Sequence, residues 1–142
     1  MNETIARFGY PETLVREYDH WVVLLRPAQP TLGSLILAAK SDATEFHALP
    51  GEAFAELKLV VTAIERALRD FVSYARINYL MLMMVDPNVH YHVIPRYEGA
   101  RDWNGQQFED AGWPAVPALG QAIKLDAAGI AAMAAALSDH FA

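Results

Sequence analysis

The sequence predicts an α+β domain with an antiparallel sheet of about five strands, a long central helix and a C-terminal helix. Three observations lead to this class. Short runs rich in β-branched and aromatic residues lie on both sides of the middle of the chain, a segment after Pro50 repeats apolar residues every three or four positions, and the tail from Asp126 to Phe141 is alanine-rich. The order along the chain is therefore strands, helix, strands and helix.

Length, composition and net charge limit the number of domains, the possible partners and the compartment of the protein. The 142 residues are the size of one domain, which we expect to span 1–142, and the hydrophobic content of 54% argues against disorder. Seventeen acidic against eleven basic residues give a formal charge of −6, which argues against a nucleic-acid partner.

No apolar run approaches the roughly 20 residues that cross a bilayer, and the N-terminus has no leader pattern, so we expect a cytoplasmic protein without a membrane partner. The absence of cysteine fits a reducing compartment and leaves histidine, hydroxyl and carboxylate groups for any chemistry.

Runs of β-forming residues in the N-terminal third of the chain predict three strands. Residues 1–11 have little periodicity and predict an irregular arm. The runs 13–17 and 20–25 predict a hairpin, because β-forming residues flank a short polar turn. Residues 26–33 contain two prolines and one glycine and predict a loop, after which 34–39 resume an extended run.

The segment after Pro50 predicts an amphipathic helix of about six turns. Its apolar stripe steps by three or four residues, through Phe54, Leu57, Val61, Ile64, Leu68 and Phe71. Charges four positions apart, Glu65 with Arg69 and Arg66 with Asp70, predict ion pairs on the solvent side. The tail predicts a second helix with its stripe at Ile130, Met133, Leu137 and Phe141.

Two further strands are predicted between these helices. Residues 77–84 form an extended run, Asp86-Pro87 indicates a turn, and an apolar run with two histidines follows, so these strands should pair antiparallel. The region 98–119 has no clear period and predicts a packed loop, anchored by Trp103, Phe108 and Trp113.

The run from Asn88 to Arg96 carries the candidate chemistry. Because side chains alternate across a strand, Asn88, His90 and His92 share one face. Pro95 has no amide hydrogen for a sheet and is predicted to end the strand, which leaves Arg96 at its end. That guanidinium can bind an anionic ligand or pair with a carboxylate.

Two adjacent imidazoles on a strand allow three interpretations. In the first they are partly buried structural residues bonded to neighbouring backbone. In the second they are metal ligands, and the third ligand comes from Asp86, Glu98, His20, His47 or His140. In the third they act on a phosphate: one imidazole attacks phosphorus to form a phosphoramidate and the other protonates the leaving group. Histidine suits both tasks because its pKa lies near neutral.

The run His90-Tyr91-His92-Val93-Ile94-Pro95-Arg96, with Val89 before it, resembles the signature strand of the histidine triad (HIT) family of nucleotide hydrolases and transferases. In that family three alternating histidines are often followed by Pro-Arg. The resemblance covers about 12–97, because the segments 20–27 and 32–37, the central helix and Asn78 follow in the family's order and spacing. It implies a HIT-like domain with its core at about 12–97 and a C-terminal extension at 98–142.

The resemblance also implies roles for individual residues. The family's nucleophile falls on His90, and the histidine that contacts the phosphate or leaving group falls on His92. The first histidine of the triad falls on Asn88, which can form hydrogen bonds that orient His90 or its loop but cannot exchange a proton near neutral pH. Four residues are expected to bind substrate, and two of them depart from the family pattern. Arg26 replaces the usual acid or amide that holds the ribose, Ser34 replaces a fourth histidine, and the others are Asn78 and Arg96.

The implied function is a nucleotide-phosphate hydrolase or nucleotidyltransferase that acts at the α-phosphate through a nucleotidyl-histidine. Expected substrates are nucleoside phosphoramidates or dinucleoside polyphosphates. A catalytically weakened nucleotide-binding module is the alternative, and a metal-dependent enzyme with His90 and His92 as ligands is a further one. We expect no required cofactor and no metal site, although magnesium can arrive with a polyphosphate substrate. Family members pair through the long helix and the strand beside it, so we expect a homodimer.

Overall fold

The computed structural model describes residues 1–141, and its elements follow the predicted order. In chain order they are α1 (Glu3–Arg7), β1 (Leu14–Glu17), β2 (Trp21–Leu25), β3 (Ala28–Gln29), β4 (Leu35–Ala39), α2 (Gly51–Val72), β5 (Arg76–Leu80), β6 (His90–Arg96), β7 (Ala100–Trp103), β8 (Gln106–Glu109), β9 (Ile123–Lys124) and α3 (Ala127–Ser138). Short 3-10 helices lie at Phe46–Ala48 and Asp139–Phe141. The last residue of the predicted domain, 142, lies outside the described residues.

The centre of the molecule is a five-stranded antiparallel sheet in the order β1-β2-β4-β6-β5. The predicted α+β class, with a long central helix and a C-terminal helix, is confirmed. Strand β9 pairs with β3 and β7 pairs with β8 in two small sheets. The pairing of β3 with β9 joins the C-terminal region to the loop predicted at 26–33.

Both faces of the sheet are covered. Trp21, Val23 and Leu25 of β2 pack in the larger core with α2 and α3, whereas Val22 and Leu24 pack on the opposite face with Ile5 of α1. This double coverage explains why every residue of β2 and β4 is buried. In β6, His90 and His92 pair with the β4 residues Ala38 and Ile36 of the α1 face, so both imidazoles lie on that face.

Helix α2 has the predicted length but buries a different stripe. Its 22 residues make about six turns. The fully buried positions include two alanines, which let the helix approach the sheet closely, and are Ala53, Val60, Ile64, Ala67, Leu68 and Val72. Of the predicted stripe, Leu57, Val61 and Phe71 are only partly buried and Phe54 is exposed. The predicted Glu65–Arg69 pair is also absent from the described residues, because Glu65 accepts a hydrogen bond from the Tyr79 hydroxyl instead, at 2.7 Å.

The N-terminal arm is a short helix, so the prediction of an irregular segment at 1–11 is wrong for its first part. Asn2 caps α1 by accepting a hydrogen bond from the backbone N–H of Ile5 at 3.0 Å. Its side-chain amide donates to the carbonyls of Ala39 (2.8 Å) and Ser41 (2.9 Å). A helix of five residues is too short to produce an apolar period in the sequence, and its position depends on these distant carbonyls.

Two predicted strand boundaries are wrong. Strand β5 ends at Leu80 rather than at residue 84, and Met83 adopts a left-handed conformation with φ of +50° that leaves the sheet. Strand β6 continues through Pro95 to Arg96. Its pairing with β4 stops at Val93 while its pairing with β5 continues, so the missing amide hydrogen of Pro95 can face the unpaired side.

The region predicted as a packed loop at 98–119 contains the β7–β8 hairpin. Its turn is Asn104-Gly105, and both residues have positive φ (52° and 79°), as a tight hairpin turn requires. The predicted anchors differ in burial: Phe108 is fully buried, whereas Trp103 and Trp113 are half-buried.

Helix α3 lies where predicted and is capped by Asp126. Within the described part of the chain, no helix has the length and apolar character needed to span a membrane.

Candidate active site

His90 and His92 lie side by side in a cavity of about 400 Å³ on the α1 face of the sheet. Their ring centroids are 5.3 Å apart. Phe8, which follows α1, packs against both rings at 5.6 and 5.9 Å. The two histidines predicted to work together are therefore adjacent and share an aromatic neighbour.

The cavity has mostly apolar walls and few polar groups. The apolar wall is formed by Phe8, Leu82, Met83, Met84, Val85 and Leu119. Its polar residues are the two histidines, Arg26 and Asp86. The Asp86 carboxylate forms an ion pair with Arg7 at 3.2 Å, so part of its charge is already balanced. The cavity thus combines a cation with apolar surface.

The hydrogen bond of His90 defines its tautomer. The Nδ1 atom lies 2.7 Å from the backbone carbonyl oxygen of Asn88. A carbonyl only accepts hydrogen bonds, so we assign the hydrogen to Nδ1, where it donates. The Nε2 atom then carries the lone pair, which is the form of imidazole that can act as a nucleophile.

His92 is held as a neutral imidazole. Burial lowers its pKa to about 4, and the charges of Arg26 and His90 act in the same direction. Its Nδ1 atom is buried and has no hydrogen-bond partner among residues 1–141. A buried polar atom without a partner costs free energy, which a bound ligand or water can recover.

Arg26 is the cation of the cavity. One terminal nitrogen donates to the carbonyl of Ala28 at 2.6 Å, and burial lowers the pKa of the guanidinium. The Nε atom is buried and has no partner in the described part of the protein. Arg26 and His92 are the two residues whose buried side-chain atoms lack partners there, and both line this cavity.

The Asn88 side chain does not bond to either imidazole. Its Oδ1 accepts hydrogen bonds from the N–H (3.2 Å) and hydroxyl (3.0 Å) of Thr4, and its Nδ2 donates to the carbonyl of Asp42 at 3.0 Å. The main chain of Asn88 supplies the carbonyl that fixes His90. Asn88, the residue that the resemblance places at the first triad position, is therefore part of the scaffold that supports His90.

The other three predicted substrate-binding residues lie outside the histidine cavity. Ser34 is fully buried and its hydroxyl donates to the carbonyl of Thr31 at 2.9 Å. Arg96 is 4% exposed and forms two hydrogen bonds to Asp110, at 2.7 and 3.1 Å, and one to Asn78 at 2.8 Å. Arg96 therefore pairs with a carboxylate, which is the second of the two possibilities that the sequence left open. It does not line the cavity that contains the histidines.

Sequence reasoning missed Phe8, Thr4 and the part of the apolar wall formed by residues 82–85. The spacing of Ile5 and Phe8 after a capping residue, Asn2, was a usable signal for a short helix with an apolar side. Residues 82–84 belong to the run 77–84 that was predicted as a strand and Val85 continues its apolar composition, so nothing local distinguished them. In residues 1–141, no three His, Cys, Asp or Glu side chains are close enough to hold a metal ion, so the metal interpretation lacks its third ligand.

The fold and the paired imidazoles define an α+β protein with a histidine-centred site. The chain belongs to the HIT family, since the model of the HIT domain matches residues 8–99. Membership of this family suggests a nucleotide-binding hydrolase or transferase. No curated protein matches the chain.

Solved structures of histidine triad proteins share the fold. A histidine triad protein from Sinorhizobium meliloti has a TM-score of 0.75 and 22% identity, covering 99% of this chain and 95% of its own. A histidine triad protein from Bradyrhizobium japonicum has a TM-score of 0.70 and 20% identity, covering 99% of this chain and 96% of its own. One from Marinobacter aquaeolei has a TM-score of 0.69 and 20% identity, covering 99% of this chain and 94% of its own. At these identities the likeness supports the fold alone.

Proposed function

We propose that this protein is a nucleotide-phosphate hydrolase or nucleotidyltransferase that acts at the α-phosphate through a nucleotidyl group on His90. The observation that carries this proposal is the 2.7 Å bond between Nδ1 of His90 and the Asn88 carbonyl, which leaves the Nε2 lone pair for attack in the cavity. A neutral imidazole with a fixed tautomer needs no further deprotonation to attack phosphorus.

The reaction has two displacements. Nε2 of His90 forms a bond to the α-phosphorus, and the bond from phosphorus to the leaving group breaks with its electron pair on the leaving group. A proton from solvent then reaches the leaving group, and His92 is the adjacent imidazole through which it can pass. In the second displacement water, or another acceptor, attacks phosphorus, loses a proton and releases His90.

The two unpaired groups of the cavity support an anionic ligand. A phosphate oxygen accepts hydrogen bonds, whereas Arg26 is a donor without an acceptor at Nε. The apolar surface formed by Phe8 and residues 82–85 suits a flat nucleobase beside the phosphate. Nucleoside phosphoramidates and dinucleoside polyphosphates combine both features, and magnesium can arrive with the polyphosphates.

The test is turnover of a fluorogenic adenosine phosphoramidate and of diadenosine polyphosphates by the wild type, His90→Ala and His92→Ala. We expect His90→Ala to lose activity by several orders of magnitude, as for a removed nucleophile. Intact-mass analysis of quenched wild type should detect added nucleotide that is absent in His90→Ala. His47→Ala is the control, because that side chain is 83% exposed. Equal rates for the wild type and His90→Ala contradict the proposal.

A catalytically weakened nucleotide-binding module is the second candidate. It is favoured by Asn88, whose side chain is bonded to Thr4 and Asp42 and carries no group that titrates near neutral pH. If the wild type and His90→Ala are equally inert on both substrate types while both bind AMP, this second function replaces the first.

We also propose a homodimer. Strand β5 is the edge of the sheet, so its outer backbone groups can pair with a second β5. Beside it, partly buried and exposed apolar side chains of the 3-10 helix at Phe46–Ala48, of α2 and of the sheet form one strip, through Phe46, Phe54, Leu57, Val61, Tyr79 and Tyr91. A second copy would cover this strip and continue the sheet.

A further inference from the structure

Helix α1 reaches the nucleophile's strand through a reciprocal set of hydrogen bonds between Thr4 and Asn88, which we call the Thr4–Asn88 clamp. The backbone N–H and the hydroxyl of Thr4 both donate to Oδ1 of Asn88, at 3.2 and 3.0 Å. The backbone N–H of Asn88 donates back to the Thr4 hydroxyl oxygen at 3.1 Å. Thr4 is fully buried and Asn88 is 7% exposed, so water does not compete for these bonds.

The clamp leaves the Asn88 main chain with one orientation. Its N–H is bonded to Thr4, its side-chain amide donates to the Asp42 carbonyl, and its own carbonyl accepts from Nδ1 of His90. A continuous path of hydrogen bonds therefore runs from Thr4 through Asn88 to the imidazole.

The position of Thr4 is fixed by α1 itself. Asn2 ties the start of the helix to the carbonyls of Ala39 and Ser41. Ile5, next to Thr4, is fully buried in the smaller core on this face of the sheet. The end of the same short segment places Phe8 against both imidazoles.

We propose that Thr4 is a positioning residue for His90, and that its hydroxyl holds the imidazole in the tautomer with hydrogen on Nδ1. Without the hydroxyl, the Asn88 N–H is buried without an acceptor, and the main chain at Asn88 shifts to find one. That shift moves the Asn88 carbonyl away from Nδ1 of His90. The tautomer with hydrogen on Nε2 then gains population, and in that form Nε2 has no lone pair with which to attack phosphorus. The catalytic part of this inference rests on the proposed function, whereas the tautomer does not.

The first experiment measures the tautomer directly in the full chain. Imidazole ¹⁵N–¹H correlation spectra at pH 7.5 should show His90 with hydrogen on Nδ1 in the wild type. Thr4→Val should increase the Nε2–H form, and Thr4→Ser, which restores a hydroxyl, should return the wild-type spectrum. Thr62→Val is the matched control, because the Thr62 hydroxyl is exposed and donates to its own helix at the Lys58 carbonyl.

The second experiment measures turnover of the adenosine phosphoramidate. Thr4→Val should lower kcat by roughly 10- to 100-fold with little change in KM, because misalignment of a reacting group costs rate more than binding. Thr4→Ser should stay close to wild type. A purely structural role of Thr4 would change stability and leave the tautomer of the folded protein unchanged.

The inference is overturned if Thr4→Val keeps both the Nδ1–H tautomer and the wild-type kcat, or if Thr4→Ser is as impaired as Thr4→Val. It is also overturned if wild-type His90 carries its hydrogen on Nε2, a result that needs no variant to fold. If the wild type does not turn over any substrate, the proposed function fails while the tautomer measurement still decides the role of Thr4.

Discussion

The two imidazoles of β6 differ because their Nδ1 atoms meet different neighbours. In His90 that atom bonds to the Asn88 carbonyl, which directs the lone pair to Nε2. In His92 the same atom is buried without a partner among the described residues, and Arg26 lies close enough to disfavour a second positive charge. Two identical side chains, two positions apart, therefore have different proton chemistry. The proposed nucleophile and a neighbour that stays neutral are the result.

The depressed pKa of His92 predicts a loss of stability in acid. The unfolded chain takes up a proton on His92 below about pH 6.5, whereas the folded protein does not until about pH 4. The contribution of neutral His92 to the free energy of unfolding is therefore fully present above pH 6.5. It decreases as the pH falls to about 4 and does not change further below that pH. The loss should be about 2 to 3 kcal/mol.

Chemical denaturation of the wild type and His92→Gln across this pH range measures the effect. The free energy of unfolding of His92→Gln should change less between pH 6.5 and 4, whereas His47→Gln should follow the wild type, since His47 is exposed. Identical pH profiles for the wild type and His92→Gln would contradict the prediction.

Arg26→Gln should weaken AMP binding roughly 10- to 150-fold, because it removes a charge-assisted hydrogen bond to phosphate worth about 1.5 to 3 kcal/mol. The pKa of His92 should also rise, because the Arg26 charge lowers it. Calorimetry and NMR titration measure the two effects. Arg76→Gln is the matched control: Arg76 also donates to a nearby carbonyl, that of Ala75, but lies outside the histidine cavity. Unchanged AMP affinity in Arg26→Gln would exclude a role for its charge.

At the scale of elements, the approach of α2 to the start of β4 depends on Gly33. This residue has φ of +84°, and a Cβ atom there would lie 2.8 Å from Cγ2 of Val72 and 3.1 Å from Cδ2 of Leu68. Backbone conformation and space therefore both require glycine. The close contact keeps the C-terminal end of α2 against the loop that leads into the central strands.

Gly33→Ala should destabilise the protein by about 3 kcal/mol, from the left-handed backbone and the overpacking together. Gly99→Ala separates the two causes, because Gly99 has φ of +77° and no atom within 4 Å of the added Cβ. That control should cost about 1 kcal/mol. Thermal unfolding of both variants gives the comparison. Equal losses would show that the Val72 contact contributes nothing.

Elements also differ in how well the sequence predicts them. Helix α2 has a clear helical period, and strands β2 and β6 are runs of strand-forming residues; the structure confirms that all three elements exist, although α2 buries a different stripe and β6 continues past Pro95. The five-residue α1 has no room for a period, and Met83 leaves its strand despite favourable composition because its backbone turns left-handed. Each of these depends on contacts that local patterns do not encode.

At the scale of the whole molecule, long-range contacts decide what the candidate residues do. The sequence predicted that His90 and His92 lie together, because they share a strand. It did not predict that Arg96 forms an ion pair with Asp110, since Asp110 lies in a region whose sequence has no hydrophobic period. Nor did it predict that Thr4 holds Asn88 from 84 positions away. The chemistry of the site was readable from the strand, whereas its supports come from both ends of the chain.

The proposed dimer predicts that Val61→Asp yields a monomer, because a charge would be buried in the apolar strip beside β5. Sedimentation should give a dimer for the wild type and a monomer for Val61→Asp. Thr62→Asp is the control, since it adds the same charge at the neighbouring exposed position. A wild-type monomer, or equal masses for both variants, would contradict the proposal.

We expect the Thr4–Asn88 clamp to form late in folding. Its two residues are 84 positions apart, and contacts between residues far apart in sequence tend to form after local structure. A short N-terminal helix is also among the first parts of a protein to open locally. Fraying of α1 would release Asn88 and Phe8 together while the five-stranded sheet stays intact. His90 would then lose its alignment in a protein that still looks folded by far-ultraviolet circular dichroism. Amide hydrogen exchange at Thr4 and Asn88 would report that opening, and with it the fraction of molecules in which His90 is aligned.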